Sequence, residues 1–588
     1  MRFSRSAVLV TLFLGATIAQ ETPSICIVDT AITPPWVSPR WMRNGQVIPI
    51  EASSTTTATT TATTTATATT ATITTTIVNV TGCCASSELW NEETSVLLPT
   101  QIGQMPQMKE EEVLQILEYA KEAWKGGSGV WPQMSLGERV KAIRVFVNLL
   151  QKEREQIINV LMWEIGKNII DATAEFDRTM LFIDKLIEAI QSDPEFNADW
   201  QSIGETRAFV RRTAIGIILC LGPYNYPLNE TYATLIPALL MGNIVVMKIP
   251  TVGGLSHLLT MEAFSKALPN GTIHFVSGSG RTTMPPMMAS GSIDGLAFIG
   301  GSKAADELIR QHPSPHRLKL FLQLEAKNMG IFLPDLFQEM NNALLETALN
   351  EAIAGTTSYN GQRCTALKLL FVPTTNANTF VKKFVEKIET LRVGLPWHHT
   401  NGGISHITPL PNQQRIKYMK ELIDDAVSKG ATVVNQNGGT IIGGPDSTLM
   451  IPAVLYPVSS SMKVYHEEQF GPVIPIVSYD TLETVLSYGR EGIYGQQVSI
   501  FTSEHDAPTA ASLLDKFSTV FGKININAQC GRSPDNLVFS GRRSSAMGVM
   551  SIKYALQEFS VPTAVVYKEM NRNIVDAIQK SSKFLEAL

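Results

Sequence analysis

The first apolar run, residues 7–19, follows Arg2 and Arg5 and closes on Gly15-Ala16-Thr17-Ile18-Ala19. A basic start, a short apolar stretch and small residues at its end have the form of a secretory signal peptide over residues 1–20. The run is too short to span a bilayer, which needs roughly 18 or more apolar residues. From residue 53 to residue 76 the chain is almost only Thr and Ala. Ala favours helix, Thr opposes it, and no apolar period is present. Residues 21–107 therefore read as a low-complexity leader whose Thr/Ala stretch is a stalk-like, disordered linker. Periodic order is expected from residue 108. Residues 108–124, 136–169 and 172–192 carry apolar side chains at three- and four-residue spacing, which predicts helices. Near residue 213 the pattern changes to short β-rich runs at 214–221, 244–248, 272–276 and 295–299, each followed by turn residues and a helical period. Strands alternating with helices predict an α/β fold around a parallel doubly wound sheet. Ligands of such a sheet lie beyond the carboxyl ends of its strands. The tail, 569–588, has the pattern of an additional helix.

Composition narrows the class. The chain has 588 residues, 44% hydrophobic and 17% charged. That length predicts roughly two to four folded units, and the apolar share excludes a mainly disordered chain. A formal charge of −5 argues against a protein that coats nucleic acid, and six cysteines are too few for a disulfide scaffold. Asn79-Val80-Thr81 fits an N-glycosylation acceptor. Cys83-Cys84 has no spaced partner pair, so no metal site is expected there. An enzyme is the remaining expectation.

The chemistry gathers at strand ends. The first strand ends in Gly222-Pro223-Tyr224-Asn225-Tyr226-Pro227, the second in Lys248-Ile249-Pro250-Thr251, and the fourth in Gly300-Gly301-Ser302. Asn360-Gly361-Gln362-Arg363-Cys364-Thr365 and Glu467-Glu468-Gln469-Phe470-Gly471-Pro472 follow. Cys364 is a candidate nucleophile: a free thiol is only a few per cent thiolate at neutral pH but is intrinsically reactive. Arg363 beside it adds positive charge favourable to a thiolate.

In this order and at these separations the motifs resemble the aldehyde dehydrogenase superfamily, over about residues 108–568. The resemblance implies a Rossmann-like cofactor domain (108–197 and 214–325), an α/β catalytic domain (326–550) and a small β oligomerisation arm (198–213 and 551–568). It implies Cys364 as nucleophile, with the Asn225 amide and the Cys364 N–H holding the thiohemiacetal oxyanion. Hydride loss then leaves a thioester, and a carboxylate must activate water to release the acid. The superfamily's base is the Glu of a Glu-Leu-Gly-Gly-Lys segment; here that segment reads Gln323-Leu324-Glu325-Ala326-Lys327. One branch of the family carries a Leu-Glu-Ala-Lys variant. Residues i and i+2 of an extended chain share a face, which makes Glu325 the candidate base.

The resemblance places Lys248 on the adenosine ribose, Gly300 and Gly301 against the pyrophosphate, and Glu468 and Phe470 at the nicotinamide end. Thr251 stands where NAD-preferring relatives carry an acidic residue, so NADP is the expected cofactor. The branch of non-phosphorylating, NADP-dependent glyceraldehyde-3-phosphate dehydrogenases is the most similar. Its phosphate-binding tyrosine and arginines match Tyr226, Arg178, Arg363 and Arg532. Guanidinium forks suit a phosphate better than a neutral tail. The expected activity is NADP-dependent oxidation of glyceraldehyde 3-phosphate to 3-phosphoglycerate, by a homodimer or homotetramer. The alternatives are a dehydrogenase of a carboxylate-tailed semialdehyde and, with Gln323 marking a lost base, a non-catalytic NADP-binding scaffold. The leader predicts secretory-route or plastid targeting, and without it a cytoplasmic enzyme.

Overall fold

The computed structural model describes residues 100–397 and 403–586. Before them it describes Val37, Leu97 and four short strands, Arg40–Arg43, Gln46–Pro49, Thr57–Thr60 and Ile73–Gly82. The signal-like residues 1–20 and Cys83-Cys84 lie outside the described residues.

The ordered body begins earlier than residue 108. Thr100–Gln107 is a strand paired antiparallel with Ile73–Gly82, which also pairs with Thr57–Thr60. Two described parts of the Thr/Ala stretch are thus strand rather than linker, in keeping with the β-branched side chain of Thr. Val37, Ile102 and Met105 are buried in the first hydrophobic core, so the expected boundary cuts through packed structure.

That core is built on a six-stranded sheet. Its parallel strands are β1 (Ile217–Leu221), β2 (Ile244–Lys248), β3 (Ile273–Val276), β4 (Gly295–Ile299) and β5 (Lys319–Gln323), in the order β3-β2-β1-β4-β5. β1, β2 and β4 are continuous apolar runs because both sheet faces are covered by helices. The chain winds one way from β1 to β3 and then returns to the other side of β1. This reversal opens a crevice beyond the ends of β1 and β4. A long helix, α1 (Ile169–Ser192), packs against α2 (Asn229–Leu240), which follows β1. The short helix α3 (Ser302–Gln311) starts directly after β4 and Gly300-Gly301.

After β5 the chain crosses to a second, seven-stranded sheet. Its strands are β6 (Asn328–Phe332), β7 (Leu367–Pro373), β8 (Thr432–Val433), β9 (Ala453–Tyr456), β10 (Val473–Tyr479), β11 (Gln497–Phe501) and β12 (Lys523–Ile526), ordered β8-β9-β10-β7-β6-β11-β12. α4 (Asn342–Thr357) precedes the nucleophile loop and α5 (Gln413–Ser428) packs near β8 and β9. Ala546–Met547 returns to the first sheet, antiparallel to β5.

Gln201–Ile203, Thr206–Ala214 and Ser560–Lys568 form a separate three-stranded antiparallel sheet. Part of the predicted arm, Ile552–Glu558, is instead helical and packs on α1 and α2. The tail contributes α6 (Arg572–Gln579). Among the described residues no helix is long and apolar enough to cross a membrane.

Candidate active site

A cleft of about 1160 Å³ lies between the two sheets. It is lined by Asn225, Tyr226 and Thr251 from the loops after β1 and β2, and by Gly300 and Gly301 from the loop after β4. Gln323 and Glu325 reach it from the crossing between sheets, Arg363 and Cys364 from the loop before β7, and Glu468 and Phe470 from the loop before β10. Arg178 of α1 and Arg532 close one end. Lys248 alone of the residues singled out does not line the cleft; it is buried at the end of β2.

The nucleophile loop is held in an unusual shape. Tyr359 and Asn360 adopt positive φ (49° and 57°), and Gly361 follows at 70°. Non-glycine residues persist there only when their surroundings fix them. The Tyr359 hydroxyl donates to the Ile165 carbonyl at 2.9 Å, and the Asn360 amide donates to the Thr408 carbonyl at 3.0 Å. A Cβ on Gly361 would meet the carbonyl oxygens of Thr356 and Gly471 at 2.8 and 2.9 Å. On the far side, the Asn328 amide donates to the carbonyls of Cys364 (2.7 Å) and Ala366 (3.0 Å). Lys368 donates to the carbonyls of Gly361 and Gln469 at 2.9 and 2.8 Å.

Asn225 is buried, and its side-chain amide donates one hydrogen to the Gln362 carbonyl at 2.8 Å. A primary amide has two hydrogens, and this bond uses one of them. Tyr226 lies under the Lys167 ammonium, 3.3 Å from the ring centroid. Lys167 in turn forms a fully buried ion pair with Glu175 of α1, whose carboxylate also accepts the N–H groups of Leu228 (2.9 Å) and Asn229 (3.2 Å). Glu175 thereby fixes the start of α2 and the register of the Asn225-Tyr226 loop.

Two expectations are corrected by this geometry. Arg363 does not favour the thiolate: its guanidinium turns to the carbonyls of Ala354 and Gly355 and to the Gln529 amide. Burial, reinforced by Glu230 and Glu468, pushes the Cys364 thiol up to about 12. Nor do Gln323 and Glu325 share a position. Gln323 ends β5 buried, with both amide atoms lacking a partner. Glu325 lies past the strand, and its carboxylate accepts the Ser302 N–H at 2.8 Å, at the start of α3. The strand itself ends at Gln323, and the positive end of a helix attracts the carboxylate beyond it.

The residues assigned to a dinucleotide fit one. Lys248 is 6% exposed, donates to the Ile249 carbonyl, has no acidic partner among the described residues, and is lowered by burial to about 8. A buried ammonium without a counter-charge at a strand end is a ready partner for ribose or phosphate oxygens. Thr251 is exposed, with Pro250 and Val252 beside it and no carboxylate. Phe470 stands edge-on to Tyr224, with centroids 5.9 Å apart, and Glu468 lies 3.7 Å from the Lys368 ammonium. Glu325 competes with a dinucleotide there, holding the α3 amide that a pyrophosphate would use.

At the opposite end the arginines are already engaged. Arg178 binds Asp535 through two bonds, 2.7 and 3.1 Å. Arg532, buried, binds Glu230 at 2.9 Å and the Asn229 side-chain oxygen at 3.1 Å. Sequence reading missed Glu230, Lys167, Glu175, Asn328, Gln362 and Arg415, all of which touch the cleft or its supports. Glu230 had one signal, its place four residues after Tyr226 in the first turn of a helix opening on the site.

Comparison with known proteins agrees with this architecture. The chain is 30% identical over 488 residues to an NADP-dependent glyceraldehyde-3-phosphate dehydrogenase of Streptococcus equinus, covering 82% of this chain and 96% of that protein. A 3-sulfolactaldehyde dehydrogenase of Priestia aryabhattai is 26% identical over 435 residues, 73% of this chain and 86% of the other. The crystal structure of NADP-dependent glyceraldehyde-3-phosphate dehydrogenase from Bacillus halodurans C-125, complexed with NADP, superposes with a TM-score of 0.71 at 27% identity, covering 84% of this chain and 96% of that one. The model of the aldehyde dehydrogenase family matches residues 90–565. That match covers most of the chain, and the chain belongs to the aldehyde dehydrogenase family.

Proposed function

We propose that this chain oxidises glyceraldehyde 3-phosphate to 3-phosphoglycerate with NADP, through a thioester on Cys364 and without inorganic phosphate. The observation that carries this is that Arg178, Tyr226, Arg363 and Arg532 all line the cleft that also holds Cys364 and Asn225. Relatives named for phosphate- and sulfonate-tailed aldehydes support an anionic tail there.

Cys364 Sγ attacks the aldehyde carbon, and the oxyanion is received by the free hydrogen of the Asn225 amide and the Cys364 N–H. Bound NADP supplies the hydride acceptor. Asn328 and Lys368 keep the loop in place by holding its carbonyls. Glu325, once released from the Ser302 amide, takes the proton of the water that cleaves the thioester, and the Gln323 amide orients that water. The three-stranded sheet joins copies of the chain in a homodimer or homotetramer.

The test is NADPH appearance with glyceraldehyde 3-phosphate and with glyceraldehyde, in phosphate-free buffer, for wild type and Arg532→Leu. Charge-assisted hydrogen bonds contribute roughly 1.5–3 kcal/mol each, so two effective ones give about a thousandfold preference in kcat/KM. Arg532→Leu should raise KM for the phosphorylated aldehyde and leave the neutral one nearly unchanged. Equal kcat/KM for the two aldehydes in wild type would overturn the reading.

A further inference from the structure

Glu230 has no part in the chemistry above, yet it lines the tail end of the cleft. It stands in the first turn of α2, and its carboxylate holds the Arg532 guanidinium at 2.9 Å. Asp535 binds Arg178 through two bonds and lies 3.2 Å from Arg532 Nε. Arg363 donates to the Ala354 and Gly355 carbonyls and the Gln529 amide, and the Asp171 carboxyl lies near it. Three guanidinium groups against two carboxylates leave one positive charge.

Of the other charged groups around this end, Lys167 and Lys523 are offset by Glu175 and Asp171, and Glu351, which accepts the Gln529 N–H at 2.8 Å, adds one more carboxylate. Lys167 and Glu175 form a closed pair. Asp171 lies near Lys167 and Arg363, and burial raises its carboxyl while both cations pull it down. Lys523, spent on the carbonyls of Gly531 and Ser533, is half-buried and lowered by its surroundings. Unused donors nevertheless remain: Arg532 Nη2 and Arg363 Nε are buried without a hydrogen-bond partner. The end of the cleft therefore offers bonds for an anion but little net charge to neutralise one.

We propose that Glu230 is a specificity-determining residue which, by holding Arg532, sets the tail site to prefer an anionic tail of one charge over a tail of two. The tail is a tetrahedral oxyanion, a sulfonate or a phosphate monoanion, either of which the free guanidinium donors can hold. This rests on the reading that an anionic tail binds beside Arg532.

Three aldehydes of the same carbon length test it: neutral, sulfonate-tailed and phosphate-tailed. A sulfonate keeps one charge throughout, whereas a phosphate ester gains its second near pH 6. In wild type the ratio of kcat/KM for the phosphate tail to that for the sulfonate tail should fall several-fold between pH 5.5 and 8. Titration of Cys364 and of the base cancels in that ratio. Glu230→Gln should raise the ratio at pH 8 at least tenfold, and Glu230→Asp, which keeps the charge, should leave it within about twofold of wild type. A ratio independent of pH in wild type overturns the proposal without any variant, and so does Glu230→Gln matching wild type at pH 8. If neither anionic aldehyde outperforms the neutral one, the anionic-tail reading fails as well. If both outperform it while Glu230→Gln changes nothing, only the role of Glu230 is lost.

Discussion

Cys364 sits in surroundings that oppose its own ionisation. Burial is the main cause, Glu230 and Glu468 add to it, and Gln496 and Lys368 only partly offset them. A thiol raised to about 12 loses a factor of ten in thiolate for every pH unit below that value. Reactivity of the cofactor-free protein should therefore increase with pH throughout the neutral and mildly basic range. We expect the rate of iodoacetamide alkylation at Cys364, followed by peptide mass spectrometry, to rise about tenfold per unit from pH 7 to 10. Glu468→Gln should accelerate it several-fold by removing one of the opposing charges. A plateau below pH 9 would mean that the thiol is already activated, against this geometry. Cys220 and Cys530 provide internal references, since both are fully buried and raised to about 12 by burial.

The crossing from β5 to β6 carries the largest departure from what the motif implied. Gln323 to Asn328 spans the gap between sheets, and within it Glu325 caps α3 at 2.8 Å. A carboxylate there competes with any anion for the same N–H and the same helix dipole, an effect of roughly 0.3–1 kcal/mol or somewhat more when partly buried. Glu325→Gln should thus tighten NADP binding by several-fold, measured by calorimetry on protein without substrate. The same variant should retain a hydride-transfer burst while steady-state turnover falls at least a hundredfold. Unchanged affinity would separate Glu325 from the cofactor site, and unchanged turnover would remove it as the base. Alternation made the first sheet legible: β2 and β4 have the boundaries the apolar runs predicted. The predicted helix 136–169 divides into Leu136–Leu150 and Arg154–Ile165, because a tight turn at Gln151–Glu153 interrupts a nearly continuous apolar period. The pairing of Arg532 with Glu230 was not legible, since nothing local links residues 302 positions apart in the chain.

The three-stranded sheet leaves an edge open among the described residues. Ser560–Lys568 pairs over nine residues with Thr206–Ala214 on one side and with no described strand on the other. A long edge of unpaired N–H and C=O groups invites another chain, and natural proteins shorten it, charge it or cover it. Here it is neither short nor strongly charged. Val561 and Val566 are 43% and 58% exposed, and Val210 on the neighbouring strand is 43% exposed. Pro562 breaks the donor pattern once, as an edge strand tolerates. The root of the arm is nonetheless firm: Arg212 donates to the Ser560 hydroxyl and to the carbonyls of Gln557 and Ser560, each at 2.8 Å, and pairs with Glu195 at 2.9 Å. The tail packs behind it, with Arg211 donating to the Glu586 carbonyl at 2.8 Å and Phe209 edge-on to Phe584. A rigid support presenting a long apolar edge is suited to a second copy of the chain. Light scattering on the purified protein at micromolar concentration should give two or four times the mass of one chain. Val561→Lys with Val566→Lys should lower that mass to one chain while far-ultraviolet circular dichroism stays the same, because both side chains face solvent within the single chain. A wild-type protein of single-chain mass at that concentration would contradict this role for the arm.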